Sequence, residues 1–347
     1  MKSFNFKKHP HKRLNPLTEE WVLVSPHRSI RPWLGKTEKY ELVNLPTYDS
    51  ECYLCPGNKR SSDIINPQYS GPFVFNNDFP ALLSDTPDGS INDELLQAFS
   101  QRGICKVICF SENHHKPLSS LEINEIKLVI DVWQNEYLEI SKIPWVKNIQ
   151  IFENRGEIMG CSNPHPHGQI WAINDIPQEI LKETNSQRNY FLKNKKSLLL
   201  DYLELEFEKN ERVICFNESF VVLVPFWAVW PYETIIISKR HVKNILDFNE
   251  QDKLNLSKII KTLTQIYDKL FSCPFPYSAG MHQSPVNNEE HPEWHWHMHF
   301  YPPLLRNAEV KKFMVGYEML ANPQRDITPE FAATKLKDIY NSNLKNY

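Results

Sequence analysis

An excess of one charge, an apolar run of membrane length and an even, closely spaced set of cysteines are all missing from this chain. Lysine and arginine number 39 against 42 acids, for a net charge of −3. That balance excludes a broad electrostatic footprint for nucleic acid or anionic lipid. The longest apolar stretches, 220–227 and 234–237, have the length of strands rather than of membrane spans. No charged-then-apolar segment opens the chain, so a soluble cytoplasmic protein with no membrane partner is expected. Seven cysteines spread over 347 residues argue against a disulfide framework and leave metal binding or burial. The composition of disorder is also lacking: at 41% hydrophobic the chain can fill one large core or two ordinary ones. One stretch, Lys7-Lys8-His9-Pro10-His11-Lys12-Arg13, is locally basic and reads as a solvated terminal segment rather than a nucleic-acid arm.

What is present is more specific. In Asn163-Pro164-His165-Pro166-His167-Gly168-Gln169 two imidazoles stand two residues apart between prolines, with glycine following at once. On extended backbone such residues share a side, and the prolines fix φ and remove ladder donors, so an edge strand or strand end is expected with both histidines toward one pocket. Asn154, Gly156, Gly160, Cys161 and Ser162 lead in, a small and polar run able to bring backbone N–H groups close to an anion.

The two halves repeat the same order of signals. The first has Phe73-Val74-Phe75, then Lys106-Val107-Ile108-Cys109-Phe110 leading to His114, a helical pattern over about 121–139 opened by Ser119 and Ser120, a strand at 148–153, and His165-Pro166-His167. The second has a strand from Phe220, another over 233–240 ending at His241, a helix over about 250–270, and His297-Met298-His299. A shared His-x-His at the end of each series makes duplication the better reading than chance strand–helix–strand order. Between the halves, 176–211 is charged and weakly periodic and reads as a helix plus a strand. The fold class expected is α+β: two tandem α/β units with antiparallel sheets and flanking helices, divided as 1–175 and 176–347.

Cys52-Tyr53-Leu54-Cys55-Pro56-Gly57 is a Cys-x2-Cys knuckle closed by a Pro-Gly turn, a spacing that lets two thiolates converge on one tetrahedral ion. Two further ligands are needed, and His114 and His165 are the candidates the repeat brings to strand ends. His295, His297 and His299 alternate along Trp294–Phe300 and would line one face of a strand. With His282 and an acid such as Glu183 they supply a nitrogen and oxygen set suited to Zn²⁺ or Fe²⁺. His167 is then left over. A neutral imidazole, with a reference pKa of about 6.5, is a competent nucleophile toward phosphorus. Arg28, Arg31, Ser162, Gln169 and Lys312 are the donors available to phosphoryl oxygens.

These runs resemble a known family. Asn15-Pro16-Leu17-Thr18, Ser25-Pro26-His27-Arg28 with Arg31-Pro32-Trp33, the cysteine knuckle, Phe75-x-Asn77-Asp78-Phe79, the 160–169 run, Phe226-Trp227-Ala228-x-Trp230-Pro231-x-Glu233-Thr234, and the segments at 297–306 and 312–318 look like galactose-1-phosphate uridylyltransferase, across essentially the whole chain. The resemblance implies a histidine-triad superfamily fold with an internal repeat and a homodimer. It implies exchange of UMP between UDP-glucose and galactose 1-phosphate, giving UDP-galactose and glucose 1-phosphate through a uridylyl-histidine. On this sequence His167 would be the nucleophile, with Gln169 hydrogen-bonding the transferred phosphoryl group and Ser162 beside it. Related histidine-triad hydrolases carry a histidine where this chain has Gln169; an amide gives no proton to a leaving group, which fits reversible transfer. Cys52, Cys55, His114 and His165 would bind zinc, with His114 preferred to His115 because it sits four after Phe110. Glu183, His282, His297 and His299 would bind a second ion, iron or zinc. Nucleotide-sugar contacts would fall to Arg28, Arg31, Ser61, Asn77, Asp78, Asn154, Ser162, Gln169, Lys312, Phe313, Tyr317, Glu318 and Gln324.

Two other readings exist. A histidine-triad hydrolase or phosphorylase is disfavoured by Gln169 and the long matching flanks. A zinc-knuckle module contacting nucleic acid through the basic N-terminal run is disfavoured by the lack of a basic stripe with interleaved aromatics elsewhere.

Overall fold

The computed structural model describes residues 3–30, 46–61 and 63–344. In chain order the elements are β1 (His11–Asn15), β2 (Glu20–Val24), β3 (Phe73–Asn76), β4 (Ser90–Asp93), β5 (Leu96–Phe99), β6 (Gly103–Cys109), α1 (Ile123–Ser141), β7 (Asn148–Arg155) and β8 (His167–Ile173). Then come α2 (Gln178–Asn194), α3 (Leu198–Lys209), β9 (Val213–Phe216), β10 (Phe220–Leu223), β11 (Thr234–Ser238), α4 (Glu250–Leu270) and β12 (Tyr277–His282). Last are β13 (His297–Tyr301), α5 (Tyr317–Leu320), β14 (Gln324–Arg325) and α6 (Pro329–Asn343).

One nine-stranded sheet, ordered β3-β6-β8-β7-β12-β13-β11-β10-β9, runs through both halves. Every pairing in it is antiparallel. The order reads as a mirror about the β7–β12 seam: β8 matches β13, β6 matches β11, and β3 matches β10. The α+β class and the duplication are therefore as expected. A three-stranded sheet adds β1, β2 and β14, the last pairing parallel to β2, so the sheets are not wholly antiparallel.

Each half places its long helix on the same face of the sheet. In α4, Leu256, Ile259, Ile260, Leu263, Ile266 and Tyr267 recur at helical spacing and are buried, each aliphatic side chain contributing about 2 kcal/mol on leaving water. They pack with α1, α6, Ile151, Ile170, Met281 and Phe300 into the main core. Asn249 and Asp252 form a capping box that sets where α4 starts. In α1 the box is Glu122 with Glu125 rather than Ser119 or Ser120, so the helix begins later than the sequence suggests.

Three expectations are corrected. The 176–211 segment is two helices, with Ser197 capping α3 by accepting from Leu200 N; its weak periodicity reflects Glu183, Ser186, Gln187 and Glu206 buried on helical faces. The basic N-terminal run is not fully solvated: Arg13 is buried in β1, where it pairs with Glu330 at 2.8 Å. The repeat register shifts by two residues, since β6 places Cys109 opposite His167 while β11 places Ile237 opposite His297. His165 and His167 thus match His295 and His297, not His297 and His299.

Candidate active site and metal centres

The site is built on the sheet face turned away from α1 and α4. On β8, Gly168, Ile170 and Ala172 are buried toward the core, so His167, Gln169 and Trp171 point the other way. Gln169 pairs across to Phe152 on β7, and continuing that register brings Asn154 level with His167. Asn154 in turn pairs with Ser278 on β12. His167, Gln169 and Asn154 are thus neighbours on one face. Gly168 is needed here because a Cβ would meet Phe152 O at 3.0 Å and the Phe110 ring at 3.1 Å.

Two histidines toward one pocket is not what the structure shows. His165 precedes the strand, and Asn163 Oδ1 accepts its backbone N–H at 2.9 Å, turning the chain. The His165 ring is buried toward the cysteine knuckle, with Nε2 on Ser111 O at 2.9 Å. His167 donates from Nδ1 to His165 O at 2.8 Å. A carbonyl only accepts, so the proton sits on Nδ1 and Nε2 keeps its lone pair outward. Burial lowers the proton affinity of His167 below the ordinary histidine value. The ring is therefore neutral at neutral pH.

Cys52, Cys55, His114 and His165 converge with all ligand atoms within 4.8 Å of one another. Cys55 Sγ lies 3.5 Å from Nδ1 of both His114 and His165. Bond lengths of ~2.3 Å to sulfur and ~2.0 Å to nitrogen give a tetrahedral edge of about 3.5 Å, so this spacing suits zinc. Burial pushes the Cys55 thiol up to about 11, and a thiolate there calls for a cation. Leu54 N donates to Cys52 Sγ at 3.4 Å, while Asn58 and Asn66 brace the knuckle through backbone carbonyls. His115 is exposed and bonds Pro46 O instead.

Glu183 from α2, His282 from β12, and His297 and His299 from β13 form the second cluster. His282 Nδ1 is 2.9 Å from Glu183 Oε1. His297 donates from Nδ1 to His295 O at 2.8 Å, and its Nε2 faces Glu183 Oε2 at 3.2 Å. A metal ion placed among these four residues would take a lone pair from each of them. His297 Nε2, Glu183 Oε2 and both nitrogens of His299 are buried with no hydrogen bond among the described residues. The donor set fits Zn²⁺ or Fe²⁺. His295 does not join it. Ser197 and Ser238 satisfy its two nitrogens, and it stacks on His241 at 5.3 Å, so it is a core histidine standing where His165 stands in the first half.

The remaining candidates fall into separate groups. Arg28 pairs with Asp326 at 2.9 Å, Gln324 donates to Asp326 at 2.9 Å, and Lys312 bonds Gln324 and Glu318. Phe313 and Tyr317 are exposed in the same segment. Asn77 caps its own turn through Phe79 N, beside Asp78. Asn77 also borders a cleft of about 500 Å³ whose lining residue Lys106 points to the helix side of the sheet, away from His167. Ser61 and Ser162 are exposed. Arg31 lies outside the described residues.

Three residues escaped the sequence reading. Arg60 is buried, 4.1 Å over the Phe75 ring and 3.7 Å from Asp78; nothing local in the sequence marks it. Trp171 donates to Gln169, and period-two spacing from Gln169 was the available signal. Ser278 donates to Asn154 from a distant part of the chain.

Among the described residues, a duplicated sheet that carries His167 and two four-donor clusters able to hold metal ions defines an α+β protein with a histidine-centred face. The chain belongs to the galactose-1-phosphate uridyl transferase family: residues 2–177 match its N-terminal domain and residues 183–346 its C-terminal domain. A galactose-1-phosphate uridylyltransferase of Haemophilus influenzae is 50% identical over 336 residues, 96% of this chain and 95% of that protein. One of Saccharomyces cerevisiae is 45% identical over 353 residues, 97% and 96% respectively. Among solved structures, a uridylyltransferase mutant has a TM-score of 0.77 at 22% identity, covering 96% of this chain and 99% of the other, which shows the shared fold.

Proposed function

We propose that this protein exchanges UMP between UDP-glucose and galactose 1-phosphate, with His167 as the group that carries UMP between them. The single observation that supports the chemistry is the outward Nε2 of His167, fixed by the Nδ1 bond to His165 O. In the first step Nε2 attacks the α-phosphorus of UDP-glucose, an N–P bond forms, and the P–O bond to the β-phosphate breaks. Glucose 1-phosphate departs with the electron pair and needs no proton, because a phosphate is already a good leaving group. In the second step a phosphate oxygen of galactose 1-phosphate attacks the same phosphorus, the N–P bond breaks, and UDP-galactose leaves with His167 neutral again. Covalent transfer of this kind predicts ping-pong kinetics.

Gln169 and Asn154 offer amide N–H groups to the phosphoryl oxygens, and Ser162 lies on the glycine-containing loop beside them. Nucleotide-sugar contacts are assigned to Arg28, Arg31, Ser61, Asn77, Asp78, Lys312, Phe313, Tyr317, Glu318 and Gln324. Zinc at the cysteine knuckle and zinc or iron at Glu183 would be structural, since each has four protein ligands and no open position. The halves 1–175 and 176–347 then divide the work, nucleophile in one and second metal in the other. A homodimer belongs to this reading, and exposed Val315, Met319 and Leu320 are the surface it would cover. So does a cytoplasmic location, consistent with seven free cysteines; no helix among the described residues is long and apolar enough to cross a membrane.

Incubation with UDP-glucose alone, followed by intact-protein mass spectrometry, tests the transfer. A UMP adduct at His167 that disappears on adding galactose 1-phosphate is expected. Free UMP without an adduct would identify a hydrolase instead.

A further inference from the structure

Both amides beside His167 have their oxygens engaged by a neighbouring donor. Trp171 Nε1 donates to Gln169 Oε1 at 3.0 Å, and Ser278 Oγ donates to Asn154 Oδ1 at 2.7 Å. The two contacts differ in strength of direction. A hydroxyl can donate or accept, so Ser278 would tolerate either end of the Asn154 amide. An indole N–H only donates, so turning the Gln169 amide over would set its NH₂ against another donor. The Gln169 oxygen is therefore held toward Trp171, and Nε2 is left for the opposite side.

The indole is itself fixed. Trp171 pairs with Cys105 on β6 and with Gln150 on β7, and its ring meets Phe152 edge-on at 5.7 Å. In the other half Tyr301 holds the matching position, two residues after His299, and stacks on that ring at 5.2 Å without donating to it. An aromatic residue two places on is common to both halves, whereas the donor occurs only in the half that carries the free imidazole.

We propose that Trp171 is a positioning residue for uridylyl transfer: it holds Gln169 Oε1 so that Gln169 Nε2 is presented as a donor to phosphoryl oxygens at His167. This rests on the reading of His167 as the nucleophile. The terminal torsion of a glutamine is broad and two-fold, so an unheld amide presents its carbonyl to the phosphate part of the time and repels it. A donor oriented in advance needs no reorganisation as charge builds on the phosphoryl oxygens. The effect therefore falls on kcat rather than on KM.

Trp171→Phe keeps an aromatic ring and removes the N–H. Rapid-quench measurement of UMP–enzyme formation from UDP-glucose is expected to show a rate about tenfold lower, the size of one well-made hydrogen bond, with the KM for UDP-glucose within about twofold of the parent. Gln169→Met removes both ends of the amide, and its further cost in the Trp171→Phe background is expected to be about tenfold smaller than in the parent. Should Trp171→Phe fail to fold, benzothienylalanine at 171 keeps the bicyclic shape without the N–H. An unchanged adduct rate, strictly additive losses, or a KM that rises with kcat unmoved would each overturn the proposal. If the parent protein forms no adduct at all, the reading of His167 has failed instead.

Discussion

His167 and His297 stand at the same place in the two halves: each gives its Nδ1 proton to the carbonyl of the histidine two residues earlier, at 2.8 Å in both. What separates them is the company of the outward Nε2. His167 has Asn154 and Gln169 beside it, neutral amides that can donate. His297 has His282 and His299 in the matching positions and Glu183 brought over by α2, which is a cation site. One backbone device thus presents a nucleophile in one half and a ligand in the other.

Replacing the first of these should separate chemistry from fold. His167→Gly is expected to abolish UMP-adduct formation while leaving two metal equivalents and the melting temperature within a few degrees of the parent, because His167 is only half-buried and ligates nothing. Mass spectrometry, elemental analysis and calorimetry check the three parts. Retained turnover would remove His167 from its role.

Cys52→Ser should act in the opposite way. A structural zinc site contributes folding energy outright, and this one ties the knuckle at 52–55 to the strand ends carrying His114 and His165. Loss of about one zinc equivalent and a markedly lower melting temperature are expected, with the adduct rate of the remaining folded protein changed much less. A variant that kept its melting temperature but lost all turnover would contradict the structural assignment.

Much of this was legible because it is local. The Cys-x2-Cys knuckle, the Pro164-His165-Pro166-His167-Gly168 run, and the 250–270 periodicity of α4 each declare themselves within a few residues. The repeat was legible in kind but not in register, since His-x-His occurs twice along His295, His297 and His299 and only strand pairing decides which copy matches. The 176–211 segment hid its second helix because functional and buried polar residues such as Glu183 and Glu206 break the apolar stripe. Contacts such as Ser278 with Asn154 join residues far apart in sequence, and no spacing encodes them.

Glu233 gives the protein a stability that falls as pH rises. Its carboxyl is fully buried, accepts from Val229 N at 2.6 Å and Trp230 N at 2.9 Å, and is pushed by burial from 4.5 up to about 7. Between those values the folded protein holds a proton that the unfolded chain has released, so stability declines across that window and levels off above it. The shift corresponds to about 3 kcal/mol. Glu233→Gln keeps an acceptor oxygen and cannot ionise, so it should match the parent near pH 4 and exceed it by roughly that amount at pH 8 in urea unfolding. Glu153, also raised to about 7 by burial, leaves a residual slope in the variant. Equal stability of parent and variant at pH 8 would refute the assignment.

Arg325 holds the segment that carries the Lys312, Glu318 and Gln324 group. It is fully buried with no carboxylate ion pair among the described residues, and donates to Ala228 O at 2.7 Å, Pro231 O at 3.0 Å and Ile327 O. Those carbonyls belong to the loop before β11 and to the lead into α6, so one guanidinium ties its own segment to that loop. Arg325→Met fills similar volume and strips every donor, leaving acceptors buried and unpaired at about 1–3 kcal/mol each. A loss of about 3 kcal/mol or more in urea unfolding is expected. Because Gln324 is the adjacent residue and bonds both Lys312 and Asp326, the KM for UDP-glucose should also rise in whatever protein remains folded. A stable variant with an unaltered KM would show that the segment is held by the β14–β2 pairing alone.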